Sequence, residues 1–296
     1  MKIDSNTVVF ITGGQQGLGY ASAKHLASKG ASIFIVDLDK NKLEVATEHL
    51  CRCQRFATCN PTGSLWHEQV KTISPRRVEY MVCDVSIPEQ VEAAINKCVT
   101  VFGKIDVALA CAGIATYSCT YNKALNAELD LNICERTMKV NFFGSLHLAK
   151  YASKVMSRNV PNERKERGLI CLTSSICATE GLSASTPYSC SKAAINGMVL
   201  PMCRDLSHLG IRINSINAGT IETNMQIQGI KDGYGVDDPE QIKKFQKDFI
   251  DRYYPPATYD NIGQGTPEDF AKFVESIIVN PFLNGAVLRM DGGMRM

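Results

Sequence analysis

A glycine-rich turn between a short apolar strand and a helix is the feature that most constrains the fold of this chain. Thr7 to Thr12 is a β-branched, apolar run typical of a buried strand. Gly13-Gly14-Gln15-Gln16-Gly17-Leu18-Gly19 follows, and the helical spacing after it ends at Gly30. Glycines there let backbone N–H groups approach a pyrophosphate at a helix N-terminus. The spacing is Thr-Gly-x-x-x-Gly-x-Gly, and such a turn on its own also suits a plain strand-to-helix connection.

The next predicted strand, Ser32 to Val36, ends in an acidic residue, Asp37. An acid at the end of the second strand can hydrogen-bond the adenine-ribose 2′-hydroxyl of NAD, and it repels the 2′-phosphate of NADP. Asp39 and Lys40 follow at once, so a solvated acid in a turn is the alternative. The intact order of strand, glycine turn, helix and strand favours the ribose contact and predicts NAD as the cofactor.

Strands alternate with helices along the remaining chain, and no linker interrupts them. A chain of 296 residues that is 45% hydrophobic can bury one large core. We therefore predict a single α/β domain over residues 1–296. It is a Rossmann-type, doubly wound, seven-stranded parallel sheet with helices on both faces. The other predicted strands are Val78–Cys83, Val107–Cys111, Leu169–Thr173, Ile211–Ile216 and Ala286–Met290, and the helices include Pro88–Phe102 and Cys134–Val155.

Polar and small residues follow several of these strands, where a doubly wound sheet binds its ligands. Asp84 ends the third strand at a position suited to an adenine amino group, and Ala112-Gly113 is a tight turn beside the cofactor. Asn141 lies within the predicted helix Cys134–Val155. A mid-helix asparagine is either a surface residue or a satisfied polar group in the core.

Tyr188 and Lys192 stand four residues apart, and Ser175 lies thirteen residues before the tyrosine. If Ser189 to Met198 is helical, the tyrosine and the lysine share one face. A neighbouring ammonium favours the phenolate and lowers a tyrosine pKa from about 10. Such a tyrosine can exchange a proton with a substrate hydroxyl or carbonyl, and Ser175 can hold that same oxygen. The Tyr-x-x-x-Lys pair is weak alone and gains its meaning from the glycine turn.

On these motifs the chain resembles the short-chain dehydrogenase/reductase family over essentially its whole length. The resemblance implies that Tyr188 is the acid/base and that Lys192 lowers the tyrosine pKa and binds the nicotinamide ribose. It also implies that Ser175 orients the substrate oxygen and that Asn141 holds a water linking Lys192 to solvent. Thr223 would meet the nicotinamide carboxamide. The implied cofactor-binding residues are Gly13, Gln16, Gly17, Leu18, Gly19, Asp37, Asp84, Val85, Ala112, Gly113, Tyr188, Lys192, Gly219, Ile221 and Thr223.

Other segments resemble one subgroup of the family, the type II 3-hydroxyacyl-CoA dehydrogenases, also called type 10 17β-hydroxysteroid dehydrogenases. They are Cys111–Ala115, Thr120–Asn122, Gly197–Leu206 and Asn280–Met296. The implied reaction interconverts a 3-hydroxyacyl-CoA and a 3-ketoacyl-CoA in fatty acid metabolism. The subgroup also implies a homotetramer built partly by the Asn280–Met296 tail. It further implies the mitochondrial matrix. Cytoplasm is the alternative, because the acidic Asp4 does not fit an ordinary mitochondrial presequence.

Two stretches are longer than the family needs, at about residues 52–77 and 226–265. The second normally closes over the substrate, and within it Pro239–Tyr254 is predicted to be helical with Asp238 as N-cap. Its apolar stripe either lines an acyl pocket or packs on the core; its lysines either meet CoA phosphates or form a solvated face. The stripe is Ile242, Phe245, Phe249 and Tyr253, and the lysines are Lys243, Lys244 and Lys247.

Composition argues against several other classes. A net charge of +2 gives no electrostatic support for nucleic acid or an acidic membrane as a partner. Twelve scattered cysteines without Cys-x-x-Cys pairs indicate reduced thiols and no metal site. No apolar stretch approaches 18 residues, so none is expected to cross a membrane. Two alternatives stay open: a dehydrogenase for a steroid or another secondary alcohol, and a binding scaffold in a tRNA-processing complex.

Overall fold

The computed structural model describes residues 1–57, 77–124, 126–234, 237–253 and 264–295. Seven parallel strands form one sheet in the order β3-β2-β1-β4-β7-β8-β9, which confirms the predicted doubly wound architecture. Most of these strands are buried along their whole length, because helices cover both faces of the sheet. The strands are β1 Val8–Thr12, β2 Ser32–Asp37, β3 Val78–Val82, β4 Val107–Ala110, β7 Gly168–Ser175, β8 Ile211–Ala218 and β9 Val287–Met290. A small separate hairpin pairs β5 Tyr121–Asn122 with β6 Ala127–Glu128.

Helices pack on the two faces of the sheet in two apolar clusters. One cluster joins the sheet to α1, α2 and α9, and it includes Leu26, Leu43 and Phe270. The other joins it to α3, α5 and α6, and it includes Ile95 and Leu148. The helices are α1 Gly17–Ser28, α2 Lys40–Ala57, α3 Pro88–Phe102, α4 Leu131–Thr137, α5 Gly144–Met156, α6 Thr186–Ser207, α7 Asn224–Tyr234, α8 Pro239–Tyr253 and α9 Pro267–Val279.

The predicted continuous helix Cys134–Val155 is wrong in its middle. Met138–Phe143 is a π-helical turn between α4 and α5, and it contains Asn141. Its hydrogen bonds span five residues, as the Gly144 N–H donates to the Lys139 carbonyl, and the Ser145 hydroxyl donates to the Asn141 carbonyl at 2.7 Å. Short π segments of this kind are frequent at functional sites.

The chain reverses its direction of winding between β1 and β4. From β1 it proceeds to β2 and β3 on one side, and from β4 to β7, β8 and β9 on the other. The loops after β1 and β4 therefore part at the carboxyl end of the sheet and leave a crevice, which is where this class of fold binds ligands.

The two longer stretches are only partly described by the structure, whose described part also bears on membrane crossing and metal binding. Of the predicted insertion at 52–77, positions 58–76 lie outside the described residues, as do 235–236 and 254–263 of the substrate loop. Within the described ranges, none of the helices combines the length and apolar character that a bilayer crossing requires. In that same part of the chain, no cluster of histidine, cysteine and acidic side chains is arranged to hold a metal ion.

Candidate active site

A cavity of about 520 Å³ opens at the crevice between the loops after β1 and β4. Apart from Asn141, every residue predicted for catalysis or cofactor binding lines it. From the glycine turn and β2 come Gly13, Gln16, Gly17, Leu18, Gly19 and Asp37; from the later strand ends come Asp84, Val85, Ala112, Gly113, Ser175, Gly219, Ile221 and Thr223, and from α6 come Tyr188 and Lys192. Residues far apart in the sequence thus share one wall because they sit at carboxyl ends of parallel strands.

The glycine turn after β1 brings its backbone against the turn after β4. Gly13 has φ +70°, and a Cβ added there would lie 2.6 Å from the Ala112 nitrogen. At Gly19 a Cβ would lie 2.2 Å from the Gly13 carbonyl oxygen, so only glycine allows α1 to start this close to the turn. The N-cap of α1, Gln16, makes no side-chain capping bond, and its first turn carries no acid. Its N–H groups and helix dipole therefore suit a pyrophosphate.

Asp37 closes the cavity at the end of β2, where the sequence predicts an acid facing the adenine ribose. Its carboxylate accepts hydrogen bonds from the backbone N–H of Leu38 at 2.9 Å and of Gln15 at 3.3 Å. Burial raises the pKa of Asp37, and these two hydrogen bonds, which lower it, offset only part of that effect. Asp84, after β3, accepts from the Ser86 backbone and hydroxyl at 2.9 and 2.7 Å. Both acids line the cavity, and their carboxylates are held in place by these hydrogen bonds.

Tyr188, Ser175 and Lys192 meet at the end of β7. Ser175 is its last residue, and its hydroxyl hydrogen-bonds the phenol of Tyr188, which lies in the first turn of α6. The Lys192 ammonium donates to the Thr173 carbonyl at 2.9 Å and lies 5.6 Å from the centre of the Tyr188 ring. The Ser174 hydroxyl donates to the Lys192 carbonyl at 2.9 Å and holds α6 against β7.

The protonation of the pair differs from the prediction. Burial raises the pKa of Tyr188 well above its ordinary value, and the hydrogen bond from Ser175 opposes this only in part. Burial also lowers the pKa of Lys192 to about 8, which still leaves the ammonium mostly protonated at neutral pH. The expected lowering of the tyrosine pKa by Lys192 is therefore not the net effect in this structure. The phenol keeps its proton at neutral pH.

Asn141 does not line the cavity and instead supports the groups that do. Its amide donates to the Ile114 carbonyl at 3.0 Å and accepts from the Ile114 N–H at 2.8 Å. The same amide donates to the Ser191 hydroxyl at 2.9 Å, and Ser191 in turn donates to the Tyr188 carbonyl at 2.7 Å. Of the two sequence interpretations, the satisfied core polar group is correct, since Asn141 is fully buried.

An apolar wall extends the cavity beyond Tyr188. Phe245 and Phe249 of the predicted stripe on α8 line it, whereas Ile242 and Tyr253 do not and pack nearby. Two residues of the stripe thus line the cavity, and its use as an acyl pocket stays a prediction. The other apolar residues of this wall were not predicted from the sequence. Their position after strand ends or in the substrate loop is the one sequence feature that could have indicated them. They are Ile176, Leu182, Met225, Ile230 and Met294.

The lysines of α8 do not line the cavity. Lys243 pairs with Glu240 at 2.8 Å and Lys247 with Asp251 at 2.9 Å, both on exposed turns of the helix. Arg136 and Lys139, at the end of α4 and in the π-helical turn, line the cavity and are exposed. Lys139 contacts Glu135 at 3.4 Å in an exposed pair, which contributes little and leaves the ammonium accessible.

The sheet, its crevice and the uncapped glycine turn define a dinucleotide-binding α/β protein of the doubly wound class. The family model described as short chain dehydrogenase matches residues 7–62 and 56–232. The chain belongs to the short-chain dehydrogenase/reductase family and is an oxidoreductase of that family, whose fold typically binds NAD or NADP.

Similar proteins include two named 3-hydroxyacyl-CoA dehydrogenase type-2. The one from Drosophila melanogaster is 33% identical over 98% of this chain and 98% of its own length. The human one is 32% identical over 98% of this chain and 95% of its own length. A solved structure of the same name from Mycobacterium avium has TM-score 0.78 at 24% identity, covering 100% of this chain and 98% of that chain, and shows the fold alone. These findings confirm the family resemblance.

Proposed function

We propose that this protein is an NAD-dependent oxidoreductase that interconverts 3-hydroxyacyl-CoA and 3-ketoacyl-CoA. The observation that carries the proposal is the continuous cavity, which joins Asp37 and the glycine turn to Tyr188 and ends in an apolar wall. One end suits a dinucleotide and the other an acyl chain, and the proton-transfer group lies between them.

The residues of the chain account for binding, orientation and proton transfer. In the direction of reduction, the Ser175 hydroxyl holds the ketone oxygen and the phenol of Tyr188 donates its proton to that oxygen. The raised tyrosine pKa keeps this proton in place at neutral pH. When bound, NADH supplies the hydride that reduces carbon 3. The Lys192 ammonium, held by the Thr173 carbonyl, supports the ribose and the charge that develops on the phenol.

NAD rather than NADP follows from the charge at the adenine-ribose end of the cavity. Asp37 and Leu38 line the cavity, and Lys42, whose charge lowers the pKa of Asp37, is not among the described lining residues. A carboxylate accepts hydrogen bonds from ribose hydroxyls and repels a 2′-phosphate. Burial raises the pKa of Asp37, but the N–H groups of Leu38 and Gln15 donate to its carboxylate and stabilise the charged form.

Acyl-CoA as the substrate draws on three observations. Two of the relatives similar over nearly the whole chain carry the 3-hydroxyacyl-CoA dehydrogenase name. The wall beyond Tyr188 is apolar, as a fatty acyl chain requires. Arg136 and Lys139 line the cavity with exposed cationic heads, which suits the phosphates of CoA better than the paired lysines of α8.

The test is the reduction of acetoacetyl-CoA, followed by the loss of NADH absorbance, with NADPH in parallel. We expect rapid oxidation of NADH and slow oxidation of NADPH. Tyr188→Phe is the matched control, since it removes the transferable proton but keeps the ring. It should reduce turnover at least about a hundredfold, the lower range for one acid/base group, with NADH binding retained. No turnover by the unaltered protein would reject the acyl-CoA substrate.

A second candidate keeps the chemistry and changes the substrate to another secondary alcohol, a steroid among them. A relative named ipsdienol dehydrogenase from Ips pini is 27% identical over 98% of this chain and 97% of its own length. A compact terpenoid or steroid would pack against the same apolar wall. Turnover of such alcohols without turnover of acetoacetyl-CoA would favour this candidate.

Three further predictions carry over from the sequence, the first two from the subgroup resemblance and the third from the unbroken alternation of strands and helices. We propose a homotetramer, a mitochondrial matrix location with cytoplasm as the alternative, and a single domain that includes both longer stretches. Light scattering of the purified protein and fractionation of cells test the first two. A role as scaffold in a tRNA-processing complex stays a prediction, and a pull-down for RNA and partner subunits tests it.

A further inference from the structure

An ion-pair network joins the end of β9 to the loop that follows Ser175. The Arg289 guanidinium contacts the Glu180 carboxylate at 2.5 Å and the Asp291 carboxylate at 2.5 Å. Its Nη2 also donates to the Met294 carbonyl at 3.1 Å. Glu180 lies five residues after Ser175, so a single side chain holds the catalytic loop and the C-terminal segment together.

The network is only partly open to solvent, which strengthens it. The side chains of Arg289, Glu180 and Asp291 are 30%, 20% and 9% exposed. Asp291 also packs closely on the turn after β8, because a Cβ added at Gly219 would lie 2.7 Å from the Asp291 Cα. The acidic partners raise the pKa of Arg289. The Arg289 guanidinium therefore stays charged at any pH at which the protein is folded. Its contacts with Glu180, Asp291 and the Met294 carbonyl are called the clamp below.

Met294 is the residue of the C-terminal segment after β9 that reaches the cavity. It is 1% exposed, lines the cavity, and packs in one cluster with Ile176, Phe249 and Tyr253. The Thr220 hydroxyl contacts its sulfur at 3.5 Å. Because Arg289 holds the Met294 carbonyl and the Glu180 loop at once, it fixes the position of Met294 against Ile176.

We propose that Met294 determines the acyl-chain length that the cavity accepts, and that Arg289 is the positioning residue that holds it there. The proposal rests on the acyl-CoA function proposed above. The methionine side chain closes the apolar wall beside Ile176 and Phe249, so it limits how far a chain extends past Tyr188. An Arg289 clamp on both the loop and the tail keeps that limit fixed during turnover.

The test compares kcat/KM for acetoacetyl-CoA, 3-ketooctanoyl-CoA and 3-ketopalmitoyl-CoA. In Met294→Ala we expect the ratio of the longest to the shortest substrate to rise about tenfold, as the loss of a few buried carbons from a pocket wall implies. Met294→Leu keeps the volume and should restore the original ratio. Unchanged ratios in Met294→Ala would overturn the role of Met294.

The clamp is tested with Arg289→Gln and the matched control Arg295→Gln. Arg295 shares two of the three Arg289 contacts, since it pairs with Asp291 at 3.2 Å and donates to the Met294 carbonyl at 2.5 Å, but it is 63% exposed and the Glu180 ion pair is made by Arg289. In Arg289→Gln we expect faster hydrogen exchange in residues 176–180, and a KM for the longest substrate that changes about tenfold more than its kcat. Arg289→Lys should recover part of both. Equal exchange in Arg289→Gln and Arg295→Gln would overturn the clamp.

Failure of this inference is distinguishable from failure of the proposed function. If the unaltered protein reduces none of the three acyl-CoA substrates, the proposed function fails and a series of methyl ketones of increasing length replaces them. A shifted length preference of Met294→Ala toward these ketones then supports the role of Met294 in limiting chain length independently of CoA. An unshifted preference overturns that role. The hydrogen-exchange comparison needs no substrate and decides the clamp by itself.

Discussion

Replacing Gly13 by alanine tests the close approach of the two turns that form the cofactor end of the cavity. The added Cβ would lie 2.6 Å from the Ala112 nitrogen and 2.7 Å from the Cys111 carbonyl carbon. Both are backbone atoms at the end of β4, so no side chain can rotate away. Gly13 also has φ +70°, where an alanine is strained.

The expected loss in free energy of unfolding for Gly13→Ala has two parts. The left-handed backbone costs alanine about 1–2 kcal/mol, and forcing the extra carbon into packed backbone costs about 1–3 kcal/mol more. We therefore expect Gly13→Ala to lower the free energy of unfolding by about 2–5 kcal/mol. Gly103 is the matched control, because it has φ +82° at the end of α3 and a Cβ there would meet nothing within 4 Å. Gly103→Ala should lose only about 1–2 kcal/mol.

Urea unfolding followed by far-ultraviolet circular dichroism measures both variants. The change in the unfolded chain is the same for the two glycines, so the difference of about 1–3 kcal/mol isolates the contact with the Ala112 turn. Dinucleotide binding should weaken in Gly13→Ala as the two turns are pushed apart. Equal losses of stability in the two variants would refute the close approach, since backbone strain alone would explain both.

The remaining predictions concern cofactor choice, the buried asparagine and alkaline pH. Asp37→Ala should raise the NADPH-to-NADH ratio of kcat/KM by about tenfold, and unchanged selectivity would remove Asp37 from cofactor choice. Asn141→Ala leaves the N–H and carbonyl of Ile114 unpaired, and urea unfolding should show a loss of about 2–4 kcal/mol; a loss below that of an exposed asparagine would contradict the support role. Burial raises the pKa of Cys83 and Cys111 from 9.0 to about 12. Between those values unfolded thiols ionise while folded ones stay protonated, so unfolding free energy should fall with rising pH by about 1.4 kcal/mol per unit for each thiol. Cys111→Ser should remove one thiol's share of that slope, and an identical slope would exclude burial of the Cys111 thiol as its cause.

The protonation of the active site is where tertiary structure departs most from sequence reasoning. The spacing of Tyr188 and Lys192 placed them on one helix face, as expected. It could not show that the Lys192 ammonium is held by the Thr173 carbonyl, that Lys192 is buried or that Tyr188 is half-buried. Burial acts on each pKa through the surrounding atoms, which come from β7 and from the loop after it.

The π-helical turn at Met138–Phe143 was equally out of reach. A helical pattern of apolar residues covers α4 and α5 alike, and an inserted residue barely disturbs it over one turn. The turn is specified by contacts that Asn141 makes with Ile114 and Ser191, which lie 27 and 50 residues away in the sequence. Only the folded chain brings those partners together.

The sequence by itself determined the alternation of strands and helices, the glycine turn and the residues at the carboxyl ends of the strands. These are local signals, since strand periodicity, glycine spacing and an i,i+4 pair are each complete within a few residues. The tertiary structure alone decided the apolar wall. Met294 and Ile176 face the same cavity because Arg289 ties the end of β9 to Glu180, more than 100 residues earlier. Contacts across such separations depend on how the sheet assembles, and no short stretch of sequence encodes them.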